Sequence, residues 1–394
     1  MVQRLTFKQK VLHKIKSLGW GYKTKAAKIA NFKEAGGLTR VLNDESREFE
    51  DFFGLIKLVQ ELFPGEEKEM MYEYSLSLEP TKRTARFMLE YFNINRMDKE
   101  KKELIDRLIK CNNDDSKEWA RLYDINQQFL DSNLSYLEAL KKYDKKGSKS
   151  TEADICKTIF KAYCYLYQQK YEVANDMIAT ISEKEFDDIR EVFIKNIFYA
   201  RFLLIKAEYC ARNGSLHKSR EMCKKIIMNT NEPILQTWAM LHMGNSYMLD
   251  NYSKGNEYLI KGYEMSKGLT ENLRTNIKRS MTFLDNLWGK KPRYLDLNST
   301  NSSDLHEIVR YHINNKRNEE AMELLKSEQV DDLTDNQRAF HYYLKGLITR
   351  DIGDFCESVK AFRKSGDMYY RKLPLIELEK LKIDIRIIDV LLVG

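Results

Sequence analysis

Prolines, paired cysteines and long apolar runs are all scarce in this chain, and each scarcity excludes something. Only five prolines occur in 394 residues, Pro64, Pro80, Pro233, Pro292 and Pro374, and glycine is sparse at 17. Helices can therefore run uninterrupted over most of the length. The six cysteines (Cys111, Cys156, Cys164, Cys210, Cys223 and Cys356) form no CxxC or other paired spacing. This argues against a disulfide frame or a cysteine zinc site and reads as buried thiols of a reducing cytoplasm. No apolar run approaches the roughly 20 residues that cross a bilayer, and no signal-peptide core opens the chain. A cytoplasmic protein without a membrane partner is expected. His13, His217, His242, His306, His312 and His341 show no HExxH or other ligand spacing, and neither a phosphate-binding glycine loop nor GxSxG occurs. No enzyme, metal or cofactor is expected.

What is present is an uneven charge. The first forty residues carry ten Lys/Arg against the single acid Glu34, a net of +9, while the whole chain is +7. Residues 41–394 therefore sum to −2. A basic head on a nearly neutral body is the layout of a small polyanion-binding module joined to something larger. The head is patterned: Leu5, Leu12, Ile15 and Leu18, with Val11 beside them, fall near helical spacing. Gly19-Trp20-Gly21 then breaks the chain. Thr24 is read as the N-cap of a short helix over Lys25–Asn31, with a turn at Phe32-Lys33. A third helix runs from about Ala35 to Asn43, with Leu38, Val41 and Leu42 inward. A fourth starts at Ser46 and ends before Pro64, and a fifth ends before Pro80. Short helix, turn, short helix on longer supports is the helix-turn-helix arrangement. The third helix would be the reader, with Gly36, Gly37, Thr39 and Arg40 toward the major groove. Lys25 and Lys28 would hold phosphates, and Lys23, Thr24 and Lys33 complete the expected DNA-binding set.

Beyond residue 130 a residue that is apolar or aromatic in all but one case, Asn318, recurs three positions before a small one, inside a helix that follows a turn. The pairs are Tyr136/Ala139, Tyr171/Ala174, Leu216/Ser219, Tyr252/Gly255, Asn318/Ala321 and Phe355/Ser358, spaced 35, 45, 36, 66 and 37 apart. The 66 is about two units and points to a degenerate repeat around Asn276–Trp288. A period near 34 with this content is the tetratricopeptide pattern. Such units stack into a right-handed superhelix with a concave face, the usual binding surface of these arrays. The fold class expected is all-α. The boundaries read are 1–78 for the helix-turn-helix domain, 79–380 for peptide-binding repeats and 381–394 for a C-terminal capping and dimerisation segment. That segment is too apolar for an exposed tail, and Ile388, Leu391 and Leu392 are its dimer candidates.

With both halves read, the chain resembles the arbitrium receptors (AimR) of temperate Bacillus phages, within the peptide-sensing helix-turn-helix and tetratricopeptide regulators. The resemblance rests on Ala85-Arg86 with Leu89-Glu90-Tyr91, Met243-Gly244-Asn245-Ser246, and Phe283-Leu284-Asp285-Asn286-Leu287-Trp288. It rests further on Asp304-Leu305-His306-Glu307, His341-Tyr342-Tyr343-Leu344-Lys345-Gly346, and Lys364-Ser365-Gly366-Asp367 with Leu373-Pro374-Leu375-Ile376-Glu377-Leu378. It implies a homodimer in the host bacterial cytoplasm that binds a double-stranded DNA operator and activates transcription. A short communication peptide bound in the repeat concavity ends that activation, which sets the choice between lysis and lysogeny. The family's peptide positions match at Arg86, Asn245, Phe283, Glu307 and Asp367, with Glu307 and Asp367 expected to hold a ligand arginine. Departures fall at Glu208 and Arg212 (family asparagines), Ile234 (an arginine) and His306 (a glutamine). The aromatic before the Leu-Pro-Leu segment is Tyr369. Glu208 and Arg212, four apart, are expected to pair on one helix face in a rewritten pocket. The alternative from another class is a Rap-like repeat regulator that acts on protein partners, by phosphatase activity or sequestration, without DNA.

Overall fold

A computed structural model describes residues 5–145, 148 and 150–384. Every regular element among them is helical. The chain divides into two compact units, one of residues 1–164 with 180–199, the other of residues 165–179 with 200–394.

The first unit opens with helix Phe7–Ser17, started by a capping box in which Thr6 and Gln9 satisfy each other's backbone N–H groups. Its buried stripe is Phe7, Val11 and Ile15, whereas Leu5 and Leu18 are 47% and 45% exposed. The stripe is offset from the expected one because the Phe7 ring meets Tyr74 at 4.8 Å and sets the rotation of the helix. The next helix is Tyr22–Ile29, three residues earlier than expected. Gly21 sits at φ 91°, a left-handed cap open to glycine without strain. Its carbonyl accepts from the Thr24 N–H at 3.1 Å, so Thr24 lies inside the first turn and is not the N-cap. The third helix, Ala35–Asn43, falls where the sequence puts it. The fourth begins later, as Phe52–Leu62 capped by Asp51. Asp44 accepts from the Ser46 N–H and hydroxyl at 3.0 and 2.6 Å, and this local turn competes with a helix start at Ser46. Glu191 supplies a second, sequence-distant cap, accepting from the Phe52 and Phe53 N–H groups at 3.3 and 3.1 Å.

The second unit is built of stacked helix pairs: Leu216–Asn229 with Pro233–Asn245 and Tyr252–Met265, then Ser302–Asn314 with Asn318–Ser327, then Asp335–Thr349 with Ile352–Lys364. Ser219, Ala321 and Ser358 are fully buried, as close helix approach requires. Leu216, Tyr252 and Asn318 open their helices. Within the 66-residue spacing, the stretch around Asn276–Trp288 is the helix Glu271–Leu287, followed by a loop through Asn301 and then helix Ser302–Asn314. Helix Lys372–Lys380 closes the array, with Leu373, Leu378 and Ile383 on its core. The dimer candidates Ile388, Leu391 and Leu392 lie outside the described residues. Among the described residues no helix is long and apolar enough to cross a membrane.

Candidate functional site

Two surfaces carry the expected chemistry, one in each unit. On the head, Lys23, Gly36, Thr39 and Arg40 line one groove with Glu34, Asn43, Asp44 and Arg47. Thr39 donates its hydroxyl to the Ala35 carbonyl at 2.8 Å. The tandem glycines differ in purpose: a Cβ on Gly37 would stand 3.1 Å from the Phe32 ring, whereas one on Gly36 meets only the Glu34 carboxyl at 3.6 Å. Gly36 is therefore the outward, accessible one. Lys28 and Lys33 are exposed with no ion pair among the described residues. Lys25 is different: its ammonium is 2.6 Å from Glu61, which also accepts from Tyr22. Lys10 pairs with Glu73 at 2.7 Å. Lys8 is buried, donating to the carbonyls of Asp44 and Arg47. The +9 of the sequence is thus smaller as a surface charge.

In the second unit the inner faces of consecutive helices enclose a cavity of about 280 Å³. Most of the lining side chains on each helix are three or four apart and so point one way, with His306 and Glu307 adjacent. Phe283 and Asn286 come from Glu271–Leu287, His306, Glu307 and Arg310 from Ser302–Asn314, and Asn336 and Phe340 from Asp335–Thr349. Phe283, Phe340 and Tyr370 form an aromatic floor with ring centroids 5.3–5.8 Å apart. Three buried polar atoms on the wall have no hydrogen-bond partner among the described residues: Asn245 Oδ1, Asn286 Oδ1 and Arg310 Nε. Unpartnered groups of both polarities are costly to bury and mark a place for a polar guest. Asn286 donates to the Glu307 carboxylate at 2.7 Å and to its carbonyl at 2.9 Å. Burial still pushes the Glu307 carboxyl up to about 7, against the lowering effects of Asn286 and Arg310.

The expected peptide positions divide. Asn245, Phe283, His306, Glu307 and Arg212 line the cavity together. Arg86 lies in the first unit, its guanidinium on Ser116 Oγ and Asn113 Oδ1. Asp367 is fully buried behind the wall, bonded to Arg212, to the Asn336 amide at 3.1 Å and to the Tyr370 N–H at 3.0 Å. The cation it holds is the chain's own. Glu208 pairs with Arg212 at 2.8 Å as expected, and also with His242 at 2.9 Å. Burial alone would raise Glu208, but the charges of Arg212 and His242 outweigh it and hold the carboxyl well below its ordinary range. Tyr369 faces away from the cavity: its hydroxyl accepts from the Leu249 N–H at 3.0 Å, and the neighbouring Tyr370 takes the lining position. Ile234 is buried. Asn286, Arg310, Asn336 and Phe340 escaped the sequence reading as lining residues, because they come from three separate helices. The structure also brings His306 and His341 onto one carboxylate, Glu328, at 2.9 and 3.0 Å. Burial would raise that carboxyl, but the two rings bring it down to about 2.

With this geometry in place, likeness to known proteins is specific. A family profile described as AimR transcriptional regulator-like matches residues 67–380. The AimR transcriptional regulator of Bacillus phage phi3T is 31% identical over 365 residues, covering 93% of this chain and 95% of the relative. That of Bacillus phage SPbeta is 30% identical over 368 residues, with the same coverage. The solved structure of SeMet-phAimR matches with a TM-score of 0.76 at 29% identity, over 98% of this chain and 100% of its own. The phAimR-Ligand structure matches at 0.76 and 31% identity, over 85% and 98%.

Proposed function

The chain belongs to the AimR transcriptional regulator-like family, and on that premise we propose that it is a dimeric DNA-binding regulator switched by a short linear peptide. In this reading residues 1–78 bind a double-stranded operator, and the repeats at 79–380 receive the peptide. The C-terminal segment from 381 contributes to a homodimer. The unliganded dimer activates transcription in the host cytoplasm, and the peptide ends that activation, favouring lysogeny. The observation that carries the reading is the cavity of the second unit, with an aromatic floor and three unpartnered polar atoms at Asn245, Asn286 and Arg310. A peptide backbone offers alternating donors and acceptors that would satisfy them.

In detail, Asn245 bonds the ligand backbone, Phe283 packs an apolar side chain, and Glu307 holds a ligand cation by a charge-assisted bond. Arg310 bonds only the Tyr343 hydroxyl, at 3.2 Å, among the described residues, and is suited to a ligand carboxylate. Arg212, Glu208 and Asp367 shape the wall through their mutual pairing. On the head, Lys23, Lys28 and Lys33 hold phosphates while Gly36, Thr39 and Arg40 face the bases. Calorimetric titration with synthetic short peptides encoded immediately downstream of the gene tests the proposal. One peptide should bind with one site per chain and weaken an operator shift. If no such peptide binds, and the protein shifts no duplex, the proposal fails.

A further inference from the structure

We infer that His306, Glu328 and His341 form a binding site for one divalent transition-metal ion of the zinc class, set in the wall of the ligand cavity. The inference stands on geometry within one unit of the fold. His306 Nε2 is 2.9 Å and His341 Nδ1 is 3.0 Å from the same oxygen, Glu328 Oε2. One ligand atom from each residue lies within 4.8 Å of the other two. Donors around a tetrahedral ion with bonds of about 2.0–2.1 Å stand roughly 3.3 Å apart. The cluster therefore needs shifts of only a few tenths of an ångström along its two short edges. Two imidazoles and a carboxylate are a recurring three-ligand set for zinc and leave a fourth position for water.

The second observation is what the cluster leaves undone. The Glu328 side chain is 4% exposed, yet its other oxygen, Oε1, has no hydrogen-bond partner among the described residues. Both histidine rings are buried. A closed hydrogen-bonded triad would not leave a carboxylate oxygen orphaned in the protein interior, whereas an ion between the three side chains would draw on the whole carboxylate. Binding needs no buried charge to appear unpaired. For metallation each ring carries its proton on the nitrogen facing away from Glu328, and the lone pair of the other nitrogen takes the ion. The three residues come from three successive pieces of chain: helix Ser302–Asn314, the residue just after helix Asn318–Ser327, and helix Asp335–Thr349. The ion would clasp the helix that carries Glu307 and Arg310 to the helix that carries Asn336 and Phe340.

The test uses the full chain, stripped with a chelator, with neither peptide nor DNA present, so its outcome is independent of the reading above. Zn²⁺ titrated into the wild type by calorimetry should bind one ion per chain and raise Tm. His306→Gln and Glu328→Gln should each weaken Zn²⁺ by more than about a hundredfold, beyond the loss of an outer-shell partner, and remove the rise in Tm. Should either variant fold poorly by circular dichroism, Co²⁺ in the wild type decides. An intense visible absorption of tetrahedral character, displaced by one equivalent of Zn²⁺, supports the site. A wild type that takes up no Zn²⁺, variants that bind it as the wild type does, or a Co²⁺ spectrum of solvated octahedral character overturns it.

Discussion

Replacing Arg212 should unfold the second unit at a markedly lower temperature. The guanidinium sits between two carboxylates, Glu208 at 2.8 Å and the fully buried Asp367, and its flat face lies over the rings of Tyr171 and Tyr370, 5.0 and 6.0 Å from their centroids. Arg212→Ala removes the only cation bonded to Asp367 among the described residues and leaves that carboxylate two neutral donors. Uncovering one partner of a buried pair costs about 3–5 kcal/mol. For a unit of about 200 residues this corresponds to roughly 6–20 °C in Tm. The sign with pH follows from Glu208, which is held below its ordinary value of 4.5. Its stabilising contribution is complete above that value and fades as pH falls toward the folded-state pKa. The Tm deficit of Arg212→Ala should therefore be largest near neutral pH and shrink as pH falls below about 4.5, where the Glu208 contribution to the wild type fades. The triple variant Glu208→Gln/Arg212→Leu/Asp367→Leu, which removes all three charges, should recover most of the loss. Thermal unfolding followed by circular dichroism at pH 7 and pH 4 measures all of this. A loss under about 3 °C, or one that grows on acidification, would refute the claim that the triad is a compensated buried cluster.

Other consequences are equally direct. Operator affinity should fall steeply with salt, and Lys28→Ala or Lys33→Ala should weaken every duplex alike in an electrophoretic shift, while Lys25→Ala, already tied to Glu61, has the smaller effect. Arg40→Ala should relax specificity by about 1–3 kcal/mol at one base position, measured with point-substituted operators. Asn245→Ala and Glu307→Gln should each weaken the cognate peptide by about 2–4 kcal/mol in calorimetry. Tyr369→Phe should alter Tm and not affinity, because its hydroxyl serves Leu249; an affinity loss as large as that of Asn245→Ala would put Tyr369 in the site. Deleting Leu391 to Gly394 should shift the mass in light scattering toward monomer, and an unchanged dimer would locate the interface elsewhere.

What was legible in the sequence follows a physical division. Helix starts at Tyr136, Leu216, Tyr252 and Asn318 could be read because a helix that touches its neighbour needs a small residue one turn later, and Ala139, Ser219, Gly255 and Ala321 meet that need locally. The helix Ala35–Asn43 was legible from Leu38, Val41 and Leu42 on one face. Lys8 was not. A lysine is buried only where acceptors wait for it, and these are carbonyls 36 and 39 residues away. The choice between Tyr369 and Tyr370 was equally hidden. Both are aromatic and adjacent, and the backbone groups that turn Tyr369 away, Leu249 in a turn and Arg212 at the end of a helix, are more than a hundred residues away in sequence.

The same limit governs the candidate site. Spacing finds ligands that share a helix or a loop, so a histidine set from separate elements leaves no motif; His306 and His341 meet only because Glu328, 22 and 13 residues from them, stands between their helices. Pairing rules along one helix found Glu208 with Arg212, four apart. They could not find that the same guanidinium crosses to Asp367, 155 residues on. That crossing changes the meaning of the departures from the family pattern. Where two neutral amides would leave Asp367 open to a guest, Arg212 neutralises it from within, and Glu208 balances the charge that Arg212 brings. Glu307 is then the lining carboxylate left for a ligand cation, with burial already holding its pKa near neutral. On the proposed function, Glu307 and Arg310 one turn away are the groups that would set selectivity for charge in the guest.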